Sequence, residues 1–312
     1  DQGPAKYESL KILAQGAVQQ GNKNTTAEQG SSDFKNANIT INMSQGQKTS
    51  AGLPLNACNL CGDCASGCNN NAKISLDKNL LIEAANNGVE IFTGATILSL
   101  QQGTSNDWLL DLVYTDSQLR ARQAEPTFTL QTTNIILSAG ALGSTEILKR
   151  SQSDKLAFSD KLGQQFSSNG DMLAVGFKQS QLAMTVADPS KAHSKRGVGP
   201  TITGMIDSRN HYDPKQRMVI QEMAVPAPAA HLFNELYTTV NTLNTLWDSD
   251  KSVHQRGGSF TDPAALNTKA LNHTSLYAVM GNDGASGSLV LKGPDYKDHE
   301  GTIQVKWPSL KE

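Results

Sequence analysis

Apolar residues at the start of the chain recur at helical spacing. Tyr7, Leu10, Leu13, Ala14 and Ala17 share one face of a helix predicted over 5–18. Residues 19–37 are dominated by Gln, Asn, Gly, Ser and Thr, which is loop chemistry. Ile39, Ile41 and Met43 then alternate with polar residues, as in a short strand. A second helix is predicted over 76–87, with Gly88 as its C-terminal stop. After it the period shortens to two. Short strands are predicted over 89–92, 95–100, 108–114 and 127–131, a strand leading into a small antiparallel meander. Ile135-Ile136-Leu137 reads as a buried strand running into a glycine-containing turn and a helix over 146–151. Beyond about residue 155, strands are predicted over 172–177, 201–206, 218–223, 276–280, 287–291 and 302–307, with a single helix over 231–247 among them. The last two strands read as a hairpin with a long loop. Many strands and few helices imply a mostly antiparallel sheet. No internal repeat of fixed period is present.

Composition narrows the class. A chain of 312 residues suits two domains or one large one, and 38% hydrophobic against 18% charged residues is enough for a packed core. The 27 Lys and Arg against 29 Asp and Glu leave a net charge of −2, which excludes the basic surface of a dedicated nucleic-acid binder. No apolar run approaches the ~20 residues of a membrane helix, so no transmembrane segment is expected. The start, Asp1-Gln-Gly-Pro4, has neither an initiating Met nor a signal-peptide pattern. The expectation is a cytoplasmic chain that is a piece, or a processed product, of something longer. The six histidines form no metal-binding spacing, and no nucleophile elbow or Walker loop is present.

All four cysteines lie in one segment, Cys58-Asn-Leu-Cys61-Gly-Asp-Cys64-Ala-Ser-Gly-Cys68. Their spacing, C-x2-C-x2-C-x3-C, is the bacterial ferredoxin run, although Asn69 rather than Pro follows the last cysteine. Short gaps of this kind let a backbone curl around an iron–sulfur cube. Four thiolates also suit zinc. Structural thiols or local disulfides are the third reading. Cys58, Cys61, Cys64 and Cys68 are thus candidate ligands of a cluster, and an iron–sulfur or zinc-binding electron-transfer module is one candidate function.

Longer motifs carry a second candidate. The segment from Cys61 through Ala72-Lys73-Ile-Ser-Leu76-Asp77-Lys-Asn79-Leu80 resembles the central part of the glucose–methanol–choline (GMC) oxidoreductases, closest to their cholesterol-oxidase-like branch. Ile135-Ile-Leu-Ser-Ala-Gly140-Ala-Leu-Gly143-Ser-Thr-Glu146 is similar to that family's second signature. Leu162-Gly163, Phe166-Ser-Ser-Asn169-Gly170-Asp171, and the late stretch Val279-Met-Gly281 through Trp307-Pro308 follow in the family's order. The resemblance spans about residues 50 to 310. Two family features have no counterpart in the sequence: the Gly-x-Gly-x-x-Gly turn after a strand, and a His-Pro-Leu-Gly-Gly type segment with its later Asn. The resemblance therefore implies the middle of a flavoenzyme, inactive alone.

What the resemblance implies about residues follows position by position. Glu222 precedes an Ala-Val-Pro226-Ala-Pro228 stretch, where such proteins carry a substrate-domain Glu, and becomes the candidate acid/base. Gly140, Ala141 and Gly143 fall at a turn where backbone passes close to the flavin, and a helix N-terminus there favours an electron-rich ligand. Ile97 falls where backbone meets the adenine, and Asn169 with Gly170 at a turn near the active site. The implied cofactor is FAD, and the implied partner is a small-molecule alcohol, a sterol or another bulky apolar one. The expected fold is α+β: a mostly antiparallel substrate-domain sheet with helices on one face, plus part of an FAD-binding α/β domain. Residues 1–87 should give a substrate-domain helix and strand with the cysteine-rich connection. Residues 88–154 should form the meander and strand–turn–helix of an incomplete FAD domain, and 155–312 the antiparallel substrate-binding domain.

Overall fold

The computed structural model describes residues 4–20, 34–122, 127–177, 179–187, 197–211, 213–247, 271–293 and 301–308. Its largest sheet is built from short strands whose side chains alternate between faces. These are β1 (Phe34–Asn36), β5 (Met172–Gly176), β6 (Gly204–Asp207), β7 (Met218–Met223) and β8 (Ser275–Gly281). They pair in the order β1-β6-β7-β8-β5, antiparallel throughout. Register places Glu222 opposite Tyr277 and Ile220 opposite Ile206 and Val279. Because successive residues point to opposite faces, Ile220, Glu222 and Tyr277 share one face while Gln221 occupies the other.

Helix α1 (Ala5–Gln20) covers the Glu222 face. The Tyr7 ring meets Phe34 edge-on, with centroids 5.0 Å apart, and its hydroxyl donates to Asn36 at 2.7 Å. Ser9 and Ser275 hydroxyls lie 3.3 Å apart, and Leu10 and Ala14 are buried beside them. The helix matches the periodicity, but the inward stripe is Lys6, Ser9, Leu10 and Ala14, whereas Leu13 is exposed. The second predicted helix divides. A 3-10 turn over Leu76–Lys78 precedes α2 (Leu80–Asn86), and the Asn79 side chain between them accepts from the Leu80 N–H at 2.6 Å. Residues 39–43 contribute only an isolated bridge, Ile41 to Lys73. Helix α5 (Ala230–Trp247) follows a 3-10 turn over Ala227–Ala229.

The remaining described elements form a second unit. β2 (Ala95–Gln102), β3 (Trp108–Tyr114) and β4 (Phe128–Thr132) make the predicted meander, with a bulge between Ile97 and Ser99. Helix α3 (Ser117–Ala121) joins β3 to β4 and is capped by Asp116, which accepts from the Gln118 and Leu119 N–H groups. Helix α4 (Gly140–Arg150) starts six residues earlier than expected, and β9 (Ser288–Lys292) pairs with β10 (Thr302–Lys306) as a hairpin. Leu98, Leu100, Val113, Ile147 and Leu289 are buried in this unit. Residues 89–92 and 135–137, expected as strands, are irregular, and Phe92 and Ile136 are 77% and 91% exposed. Among the described residues nothing pairs with either segment, and a strand without neighbours leaves its backbone groups unmatched.

The chain thus divides into one unit of 1–88 with 170–282, and another of 89–169 with 283–312. This differs from the expected boundaries: the stretch 155–312 is shared between the units. The reason is local hydrogen bonding. Phe166 and Gly287 exchange backbone bonds at 2.8 and 3.0 Å, Leu289 N–H donates to Gly163 at 2.6 Å, and Phe166 packs on Trp307. These contacts hold the last hairpin to residues 163–166, and β9 and β10 also pack on α4. The class is α+β with antiparallel sheets, as expected.

Candidate functional site

Glu222 is 1% exposed, near the end of β7. Its carboxylate is heavily bonded. Oε1 accepts from Lys6 Nζ at 3.1 Å, from the Thr203 N–H at 2.6 Å, from the Thr203 hydroxyl, and from the Gly204 N–H at 3.0 Å. Oε2 accepts from the same Gly204 N–H at 2.9 Å. Lys6, 2% exposed, also lies 3.4 Å from the Thr203 hydroxyl. Burial pushes the Lys6 ammonium below its ordinary value of 10.5, and the Glu222 charge opposes that shift. Charge, buried amides and a hydroxyl together satisfy an ion that would otherwise be costly to bury.

Lys6, Thr203 and Gly204 were not among the expected site residues. One signal for Lys6 was available: it lies on the stripe of Leu10 and Ala14, at spacings of four, where an unpaired cation would be unfavourable. On the opposite face of the sheet is a cleft of about 310 Å³ lined by Ile39, Ile41, Cys64, Pro200, Thr201 and Gln221, among others. The Thr201 hydroxyl there is buried without a hydrogen-bond partner among the described residues. The cleft thus takes Gln221, the neighbour of Glu222, while Glu222 itself faces α1.

Ile97, Gly140, Ala141, Gly143 and Asn169 lie in the second unit, and Gly170 begins the return to the first. Ile97 is half-buried on β2 at the bulge. Gly140 opens α4 at φ +75°, with open space where a Cβ would stand. The helix N-terminus has no side-chain cap and no acidic residue in its first turn, and Gly140 and Ala141 are exposed. Those free N–H groups and the glycine fit the approach of an electron-rich group such as part of FAD. At the second turn, Asn169 and Gly170 are both left-handed, at φ +62° and +56°. Asp283 braces the segment before it, accepting from the Ser167 hydroxyl and the Ser168 N–H, each at 2.8 Å.

All four thiols are free and half-buried, and among the described residues no three His, Cys, Asp or Glu side chains are grouped to hold a metal ion. Two of the sulfurs accept backbone hydrogen bonds. Cys58 Sγ accepts from the Leu60 N–H at 3.4 Å, and Cys68 Sγ from the Ala72 N–H at 3.3 Å. Cys58, Cys61, Cys64 and Cys68 keep the ligand role as an expectation, with Cys58 and Cys68 Sγ each bonded to a loop amide.

Residues 43–167 match the family model described as GMC oxidoreductase. A cholesterol oxidase of Acinetobacter baumannii is 31% identical over 133 residues, covering 37% of this chain and 21% of that protein. The match bears out the resemblance to the GMC oxidoreductases and to their cholesterol-oxidase-like branch. The matched stretch spans about a fifth of the length of that curated relative. Residues 43–167, matched by the family model, contain the cysteine loop, the meander and α4, and with them the candidate residues Ile97, Gly140, Ala141 and Gly143. No helix among the described residues is long and apolar enough to cross a membrane.

Proposed function

We propose that the chain is the central portion of an FAD-dependent oxidoreductase acting on the CH–OH group of a sterol or another bulky apolar alcohol. The observation that carries this reading is the GMC match over 43–167, with α4 supplying an uncapped, glycine-led N-terminus inside it. Bound FAD would accept the hydride. Gly140, Ala141, Gly143 and Ile97 would line its approach, the 89–169 unit being the FAD side. Asn169 and Gly170 would form the turn leading to the substrate side. Glu222 would hold the alcohol proton, with the Thr203 hydroxyl bonded to its carboxylate able to pass that proton on and the Lys6 ammonium holding the carboxylate in place.

A second reading is favoured by the bonds around Glu222: Lys6 and Glu222 fix α1 to the sheet and take no part in chemistry. One experiment separates the two. Glu222→Gln is introduced into the flavoenzyme that contains this chain, and alcohol-dependent flavin reduction is followed by stopped flow. Gln cannot accept the proton, so a general base predicts a loss of about 10²–10⁴-fold in the reduction rate with substrate binding retained. An unchanged reduction rate with lowered stability assigns Glu222 to the ion pair alone.

A further inference from the structure

We infer that the cleft on the Gln221 face of the five-stranded sheet is a binding site for a neutral, mostly apolar, compact molecule that carries one hydroxyl or carbonyl group. The site lies wholly within the unit formed by 1–88 and 170–282. Ile39 and Ile41 come from the alternating segment that does not enter the sheet, and Pro200 and Ile202 from the stretch that bends just before β6. Gln221 reaches the cleft from β7, on the face away from Glu222. Glu222 is closed beneath α1, so the molecule bound here is not the alcohol whose proton Glu222 would hold, and the site stands whether or not that role does.

Backbone bonds pin the walls. Ala37 N–H donates to the Thr203 carbonyl at 3.0 Å, Ile74 N–H to the Thr40 carbonyl at 2.8 Å, and Asn42 N–H to the Ala72 carbonyl at 2.8 Å. On the other side, Gly199 N–H donates to the Leu60 carbonyl at 3.0 Å, directly before Pro200. A cleft framed in this way exists before its ligand arrives, so binding has little further chain to order.

Size and lining set the ligand class. At about 310 Å³ the cleft falls at the low end of small-molecule pockets, which suits a compact ligand. None of its lining residues is Asp, Glu, Lys, Arg or His, so an ionic ligand would lose hydration without meeting a counter-charge. The isoleucines and Pro200 offer apolar wall, and Ile39 remains 37% exposed until something covers it.

Thr201 is the polar anchor. Its hydroxyl is buried with no hydrogen-bond partner among the described residues, whereas the Thr203 hydroxyl is bonded to Glu222. A buried hydroxyl is ordinarily paired, because leaving the bond unmade carries the full cost of desolvation. A ligand oxygen that meets Thr201 supplies the missing bond, and the Gln221 amide offers a donor and an acceptor in the same cleft.

The test uses the full 312-residue chain with its isoleucine δ-methyls labelled for NMR. Naphthol is the probe, naphthalene its counterpart without the hydroxyl, and naphthoate its charged counterpart. Naphthol should shift the Ile39, Ile41 and Ile202 methyls saturably and bind about three- to tenfold tighter than naphthalene, the worth of one hydrogen bond. Naphthoate should bind more weakly than naphthol. Thr201→Val, which exchanges the hydroxyl for a methyl, should erase the margin of naphthol over naphthalene, and Thr201→Ser should keep it. Ile39→Trp, at a partly exposed position, should fill the cleft and abolish binding of both. No saturable shift within the solubility of naphthol, equal affinity for naphthol and naphthalene, naphthoate binding as tightly as naphthol, or a margin that survives Thr201→Val would each overturn the assignment.

Discussion

Replacing Lys6 by Met tests the interaction that joins α1 to the sheet. Met retains the stem of the side chain and removes only the ammonium, which is 3.1 Å from Glu222 Oε1. Removing one partner of a buried ion pair costs about 3–5 kcal/mol, because the other charge is left behind. Here the remaining carboxylate keeps the Thr203 and Gly204 amides and the Thr203 hydroxyl, which moderates the loss. The lower end, about 3 kcal/mol, is therefore expected. Glu222→Gln alone strands the ammonium in the same way. In the double variant both charges are gone, so its cost should fall below the sum of the singles by about 2 kcal/mol, a coupling typical of contacting residues. Urea unfolding, with hydrogen exchange at the β6–β7 amides as the reporter for this unit, measures all three. Costs below about 1 kcal/mol that simply add would refute the reasoning, since they would mean the pair is neither dry nor coupled.

Two further outcomes follow from geometry already given. Gly140→Ala should cost about 1 kcal/mol, the backbone penalty at φ +75° with open space, while Gly170→Ala should cost more, because its Cβ would also stand 3.1 Å from the Gly281 carbonyl; equal melting shifts for the two would contradict this. The Arg209 guanidinium, with Lys35 beside it, holds the Asp207 carboxyl well below the usual 3.8, so its stabilisation is complete above pH 3.8 and fades as pH falls below that. Both cations are exposed, so Asp207→Asn should cost only about 1 kcal/mol at pH 7, a cost that shrinks as pH falls below 3.8, as read from urea midpoints across pH 2–7.

What the sequence discloses depends on whether an element carries its own reason to form. β3 and β7 are apolar-rich runs that emerge at the predicted residues, and α1 follows its 3.6 period. Residues 89–92 and 135–137 have strand composition but need neighbours on either side, and composition says nothing about whether neighbours are at hand. β1 lies in a stretch whose surroundings read as loop; it forms because Phe34 pairs with Ile206 and packs on Tyr7, contacts made across long sequence separations. The family motifs made the α4 turn legible as a candidate site. The partners of Glu222 were hidden because backbone amides leave no signature in side-chain identity. The gaps between the cysteines state what a loop can wrap, while the direction of each sulfur is set by the amides around it.

The division of the chain also bears on the order of folding. The 89–169 unit is completed only when Phe166 meets Gly287, across a loop of about 120 residues, whereas pairing of Met172 with Val279 leaves only about 14 residues to close, saving about 2 kcal/mol of chain entropy. The sheet strands between residues 172 and 281 should therefore assemble ahead of the unit that flanks them in sequence. Until they do, the meander and α4, though made earlier on the ribosome, wait with Leu98 and Ile147 lacking the hairpin that carries Leu289.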